Sequence, residues 1–593
     1  MDAPCSFAAK ATSSQEEATC CVCTEPDQLP EVAAAPRKTK HFHRPPERPF
    51  TAEERDQVTI LFGGFTWKHE RFIEAILRGA GYRCQMLPNP DVESFAYGRE
   101  FGNNGQCNPT YFTIGNLIKH LRWLETQGHS RGEIVEKYIF FTAGACGPCR
   151  FGMYESEYRL ALQNAGYERF RIVLYQAEEA IKAAADNPGL NFTLDFNLGA
   201  LNMLNLGDVI NDLSYRIRPF EVVAGSTDRA VEDVVDRMSH FLETRRCFEL
   251  QERAPRWLAA GLRRAPKLHG FLNGSSKILD HLYSREFVLR MREARQRLEQ
   301  VEVDHTRVKP VVKIVGEFWA QLTEGDGNFN MFRFLESEGA QVHVDSIGGW
   351  ISYLLHQSRI SMEARKGLDG PYPEARWWQP GKQLCNVWKY GRKWSLLRLS
   401  EGLWIYLHAR TARHLGGITP RLLSQRELAR LAHPFYHSLA RGGEGHLEVG
   451  KNVYYTTRGL CHMVLALKPF GCMPSSQSDG VQSAVVNRYP EMIFLPIETS
   501  GEGEINAHSR VQMALGEARV KARAEFDTAL AASGRSLDQI RAYAAAHRAL
   551  RSPFYPIPRR KGIAGEAANF VLHVGDLIDG RSRMARLPGE RER

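Results

Sequence analysis

Residues Tyr138 to Ala165, YIFFTAGACGPCRFGMYESEYRLALQNA, decide how the rest of the chain is read. The apolar run Tyr138 to Phe141 predicts a short strand. A Gly-rich elbow carrying Cys146 and Cys149 follows. Then Tyr154, Tyr158, Leu162 and Ala165 recur at the spacing of one helical stripe. Two thiols therefore stand where a strand ends and a helix begins. The free N–H groups of a first helical turn favour thiolate over thiol, and in an open α/β sheet that edge is where ligands bind.

The same rhythm extends on both sides. Upstream, VTILF from Val58 predicts a strand, GGFT a turn, Lys68 to Arg78 an amphipathic helix, and RCQML a second strand. The Gly-Gly turn resembles a dinucleotide loop, but the G-x-G-x-x-G spacing and its downstream acidic partner are absent. In EFGNNGQCNPTYFTIGNLIKHLRWL, Cys107 falls in a turn and Pro109 and Thr110 open a helix. RIVLY, Arg171 to Tyr175, is a further strand. Residues 186–306 change to successive helices, and at Val311 the alternation returns with VVKIVGEFW and QVHVD. Residues 361–430 are helical again and rich in Arg and Trp. VLALKPFGCMPSSQSDGVQSAVVNRYPEMIFLPIE then supplies strand, Cys-bearing turn, helix and strand. Strands alternating with helices imply parallel sheets with right-handed crossovers. The expected fold is α/β, with two Rossmann-like parallel-sheet domains and helical insertions. Its expected parts are a disordered tail (1–54), a first α/β domain (55–185), a helical domain (186–306), a second α/β domain with a helical insertion (307–505), and C-terminal helices with a basic tail (506–593).

Composition narrows the function classes. A chain of 593 residues exceeds one core. No apolar run approaches bilayer length, and the N-terminus has neither a basic nor an apolar export region, so a cytoplasmic protein without membrane contact is expected. The formal charge of +9 is modest, and no basic stripe interleaved with aromatics suggests nucleic acid. Twelve cysteines in such a compartment point to metal or redox roles rather than disulfides. Cys84, Cys247 and Cys385 lie in helix- or strand-like contexts and are expected to be structural, while Cys20, Cys21 and Cys23 fall in the tail.

Three turns repeat one arrangement. Cys107-Asn108-Pro109 opens one helix, Cys472-Met473-Pro474 opens another, and Gly147-Pro148-Cys149 opens a third. Three segments delivering thiols to one sheet edge suit a polynuclear anionic cofactor, because an iron–sulfur cluster wants soft ligands, a dry pocket and N–H donors to its sulfurs. Glycines 144, 147 and 471 would let backbone approach it. A redox dithiol is the sharper rival, since Cys146-Gly147-Pro148-Cys149 has the residues of the thioredoxin active site. It lacks the preceding Trp, however, and leaves Cys107 and Cys472 unexplained. Zinc with His446 or His462 as extra ligands is a third reading, against which the cysteines lie far apart in sequence.

GQCNPTYFTIGNL, AGACGPCRFGMYESEYRLAL, VGEFWAQLTEGDGNFNMFRFLESEGAQV, GGEGHLEVGK and PFGCMPSSQSDG together resemble the 2-hydroxyacyl-CoA dehydratase superfamily. They are most similar to its double-cubane-cluster-type members and to the C-terminal part of fused CoA-enzyme activases, over about residues 55–530. The resemblance implies a [4Fe–4S] cluster, or a sulfide-bridged double cubane, held between Rossmann-like domains. It also implies a partner, a separate ATP-hydrolysing iron–sulfur activator that injects low-potential electrons, and it is compatible with a homodimer. Carried over, Cys107, Cys149 and Cys472 match the family's cluster-ligand turns. Cys146 would complete a four-thiolate set, and Cys461 would serve a second cubane. No phosphate-binding hairpin marks an ATPase domain in this chain.

Glu317, after the strand that starts at Val311, is a candidate cleft carboxylate or a helix cap. Glu444 and His446 sit in a Gly-rich loop that would cover the site and handle protons. ETSGEGEIN, residues 498–506, is a candidate anion loop or a surface linker. The expected function is an iron–sulfur protein that accepts electrons from the activator and reduces or dehydrates a small substrate, an acyl-CoA among them. The alternatives are a thiol-disulfide oxidoreductase using Cys146 and Cys149, and a non-catalytic electron-relay subunit.

Overall fold

Two four-stranded sheets, all parallel, carry the site. The computed structural model describes residues 47–585, apart from 145–148, 176–188, 191–192, 246–265, 369, 371–373, 377 and 441. Cys20, Cys21, Cys23, Cys146 and Cys247 lie outside the described residues.

The first sheet has the order β2-β1-β3-β4. Its strands are β1 (Thr59–Phe62), β2 (Arg83–Met86), β3 (Tyr138–Ala143) and β4 (Arg171–Tyr175), with α1 (Trp67–Gly79), α2 (Val92–Phe101), α3 (Asn108–Thr126), α4 (Arg131–Lys137) and α5 (Tyr154–Asn164) between them. The helices α6 (Leu194–Ile217), α7 (Ser226–Thr244), α8 (Pro266–Tyr283) and α9 (Arg285–Leu298) follow.

The second sheet repeats the order as β6-β5-β7-β8, from β5 (Val311–Gly316), β6 (Gln341–His343), β7 (Met463–Pro469) and β8 (Phe494–Thr499). Its first crossover carries α10 (Phe318–Leu322) and α11 (Met331–Ser337). The long one between β6 and β7 carries α12 (Ile347–Ala364), α13 (Pro380–His414), α14 (Gln425–Ala432) and α15 (Leu447–Thr457). α16 (Met473–Arg488) joins β7 to β8, and α17 (Glu504–Ser533), α18 (Leu537–Ala546) and α19 (Glu566–Ile578) close the described chain. The α/β reading is therefore what the structure shows.

β5 and β7 are buried at every residue, as strands covered on both faces must be. The helices of 186–306 share a core with α1: Phe72 and Ile76 pack with Leu206, Val209, Val234 and Met291. Tail-like sequence ends earlier than expected. Phe50 is fully buried against β1 and β3, and Glu54 pairs with Arg171 at 3.0 Å, because one aromatic and one carboxylate suffice to pin the segment. No helix among the described residues is long and apolar enough to cross a membrane.

The order puts a switch point between the first and third strands of each sheet, where crossovers leave in opposite directions and a crevice opens beyond the C-terminal strand ends. These two edges meet. Asn108 N–H donates to Phe470 O at 3.1 Å, and Asn108 Nδ2 donates to Thr499 O at 2.5 Å. Phe112 packs on Trp319, ring centroids 5.6 Å apart and planes tilted by 33°, Val92 N–H donates to Asp326 Oδ2, and Lys68 pairs with Glu324.

A candidate thiol and carboxyl site between the sheets

Cys107, Cys149 and Cys472 each occupy the residue before a helix in extended backbone, ahead of α3, of the 3₁₀ turn Arg150–Met153 that leads into α5, and of α16. Pro109 and Pro474 sit in the first turns, where a missing N–H costs nothing. None of the three thiols makes a full capping bond, though the Phe151 N–H acts on the Cys149 thiol and the Ser475 N–H on the Cys472 thiol.

Cys107 and Cys472 are buried and Cys149 is half-buried. Cys107 Sγ shares hydrogen bonds with Thr110 Oγ1 at 3.1 Å and Tyr154 Oη at 3.3 Å. The loop before Cys107 is held by Glu157 of α5, which accepts from Asn103 Nδ2 at 2.9 Å and Gln106 Nε2 at 3.1 Å. Arg150 donates to Gly105 O, tying the Cys149 turn to the Cys107 turn.

Glu317 follows β5 and accepts from Ala320 N–H at 2.9 Å, so its capping role is real. Glu444 reaches the same short helix from the long crossover and accepts from Phe318 N–H at 2.6 Å. Its loop lies against the Cys472 turn: a Cβ on Gly443 would stand 2.6 Å from Pro474 Cβ. Burial, and for Glu444 the charge of Glu317, push both carboxyls up. Two such acids cannot both ionise cheaply, so a proton stays on the pair. Burial likewise pushes the Cys149 thiol up to about 12, with Glu317, Glu444 and Cys107 adding to it. The Cys472 thiol is raised by burial and by the same two carboxyls. Tyr154 is held as a phenol by burial, Cys107 and Glu317. Thus Cys107, Cys149, Cys472, Glu317 and Glu444 lie within electrostatic reach of one another.

Cys461 and His446 differ from expectation. Cys461 precedes β7 whereas Cys472 follows it, and seven residues at about 3.3 Å each separate the two strand ends. Cys461 instead packs by Val315, Val464 and Ala466, near Lys313, as a core residue. His446 is buried against Tyr353 and His356, accepts at Nδ1 from Gln357 Nε2 at 3.3 Å, and is pushed down to about 3 by burial, His356 and Lys451. A neutral imidazole of that kind takes up no proton near neutrality. His462 is engaged by Val311 N–H at 2.9 Å and Glu525 at 3.4 Å, away from the thiols.

Among the described residues no group of three or more His, Cys, Asp and Glu converges to hold one metal ion. A cubane differs in spreading its thiolates over separate irons. The donor set fits such a cluster: the Cys149 and Cys472 thiols, raised by burial and by two carboxyls, become thiolates when positive metal arrives. Tyr154, Thr110 and Glu157 were not anticipated as site residues. The i, i+3 spacing of Cys107 and Thr110 was the available signal for one of them.

Fold and site together define a two-sheet α/β protein with a buried thiol and carboxyl centre at facing strand ends. No family model matches the chain, and no curated protein matches it.

Proposed function

We propose that Cys107, Cys149 and Cys472, with Cys146 as the candidate fourth thiolate, hold an iron–sulfur cluster in a protein that takes low-potential electrons from a separate ATP-hydrolysing activator. The electrons go to a small substrate that is reduced or dehydrated, an acyl-CoA thioester being the class the quoted motifs suggest. The observation that supports the reading is that the Cys107 turn of the first sheet and the Cys472 turn of the second are joined through Asn108 and Phe470, with Cys149 and Cys472 both raised by the same Glu317 and Glu444. The cluster would supply one-electron chemistry.

The chain's own groups do the rest. The Phe151 N–H, the Ser475 N–H and the Tyr154 hydroxyl stabilise negative charge on sulfur. The Glu317–Glu444 pair keeps a proton beside the site, available to a substrate that gains an electron or loses a hydroxyl. Burial at the sheet edges excludes water. A thiol-disulfide exchange role fits less well, because a nucleophilic cysteine needs a lowered pKa and that of Cys149 is raised.

Anaerobic purification, iron and acid-labile sulfide counts, and EPR of the reduced protein test the reading. About four irons per chain indicate one cubane and about eight a bridged pair. Protein that stays free of iron after anaerobic reconstitution overturns it.

A further inference from the structure

A second polar site lies away from the thiols, where α6 crosses the second sheet and α15. A cavity of about 70 Å³ opens there, lined from α6, β5, β6, α13, α15 and the loop after residue 418. That volume exceeds the roughly 30 Å³ share of one water and suits one compact oxyanion.

Its walls carry four cations, Lys313, Lys451, Arg216 and Arg421, against three carboxylates, Asp208, Asp212 and Asp345. The carboxylates are already committed. Asp345 serves two lysines at once, with Lys313 Nζ and Lys451 Nζ each 2.5 Å from one of its oxygens. Asp212 pairs with Arg216 at 2.7 Å. Asp208 accepts from Ile347 N–H and Gly348 N–H, both at 2.8 Å, and faces His69. Arg421 has no hydrogen-bond or ion-pair partner among the described residues. The two histidines in the wall add no charge of their own: burial lowers both, and Arg216, Arg559 and Lys313 lower His343 further.

Neutral polar groups tell the same story. His343 Nε2, both ring nitrogens of His408 and Thr419 Oγ1, groups able to donate to an anion, are buried without a partner among the described residues. His408 is 2% exposed and His343 6%. Most buried polar groups in folded proteins find partners, and here an unusual number around one cavity do not. The three buried cations are matched by the three carboxylates, so the cation left over is the exposed Arg421 at the rim of the cavity.

We propose that this cavity is an oxyanion-binding site, taking a phosphate-sized group between Lys313, Lys451 and Arg421, with the wall's imidazole and hydroxyl donors completing its hydrogen bonds. The inference is independent of the iron–sulfur reading, since it uses none of Cys107, Cys149 and Cys472. The same chemistry serves a free phosphate ion or the phosphate head of a larger metabolite.

Calorimetric titration and thermal melts of the full chain with inorganic phosphate, at ionic strength held constant with sodium chloride, test it. A saturable heat and a saturable rise in Tm are expected. Arg421→Ala, on an exposed loop and safe for folding, should weaken binding at least tenfold, as should Lys451→Met. Asp345→Asn should tighten it by removing the competing carboxylate. Glycerol 3-phosphate binding as well as phosphate would identify a metabolite headgroup, and phosphate alone a free ion; either supports the site. No saturable effect of phosphate or sulfate, or equal affinity in wild type and Arg421→Ala, overturns it.

Discussion

The turn after β1 and the turn after β5 are built alike and put to different ends. In both, a strand runs into Gly and then Phe at the switch point, Gly63-Gly64-Phe65 in one sheet and Gly316-Glu317-Phe318 in the other. In both, a buried carboxylate gathers the turn's N–H groups. Glu70 accepts from Gly64 at 2.8 Å and Phe65 at 3.0 Å, while Glu444 and Glu317 divide Phe318 and Ala320 between them. The first turn has one acid, braced by its own helix. The second has two from distant segments, with thiols beside them. Burial keeps a proton on both turns, since it raises Glu70 to about 8 as it raises Glu317 and Glu444, but only the second turn has thiols beside that proton.

The largest test of that contrast is metal content. Cys107→Ser, Cys149→Ser and Cys472→Ser should each abolish the bound iron, whereas Cys84→Ser and Cys461→Ser should leave it intact by iron and sulfide assay. Next is proton supply. Glu444→Gln keeps an acceptor for Phe318 N–H but removes the titrating group, so turnover should fall by about 10² with iron unchanged. Glu70→Gln should leave turnover near wild type.

Backbone strain separates the turns by a smaller margin. Gly64 (φ +108°) and Gly316 (φ +114°) both adopt conformations costly for other residues, but a Cβ on Gly64 meets open space, while one on Gly316 would stand 2.1 Å from Leu467 O. Gly64→Ala should therefore cost about 1–2 kcal/mol in urea melts, and Gly316→Ala about 3 kcal/mol or more.

The smallest effect is a pH slope. Burial raises Glu70 to about 8, so the folded state holds its proton more tightly than the unfolded state. Stability from this group is then full at acid pH and declines as pH rises from about 4.5, the usual carboxylate value, toward 8. Glu70→Gln should flatten that decline in denaturant titrations compared at pH 5 and pH 8.

The sheets were legible because VTILF, YIFF, VVKIVG and VLALKP are apolar runs closed by Gly or Pro, and a buried parallel strand needs little else. Cys107, Cys149 and Cys472 were legible as candidates because Pro or Gly beside each marks a helix start. The carboxyl pair was only half legible. Glu317 stands at a visible strand end, but nothing local links it to Glu444, whose partner Phe318 is 126 residues away. Cys461 misled for a related reason: nearness to a strand in sequence does not say which end it serves, and the residue lies on the far edge. The shared Asp345 between Lys313 and Lys451 was invisible, since three segments must fold before one carboxylate can serve two lysines.

Asn108 binds the end of β7 through its backbone and the end of β8 through its side chain, directly beside Cys107. The first sheet's thiol turn is thereby riveted to the second sheet. A chain cut between the halves would leave Cys107 and Cys149 on one fragment and Cys472 on the other, so neither fragment inherits a complete centre.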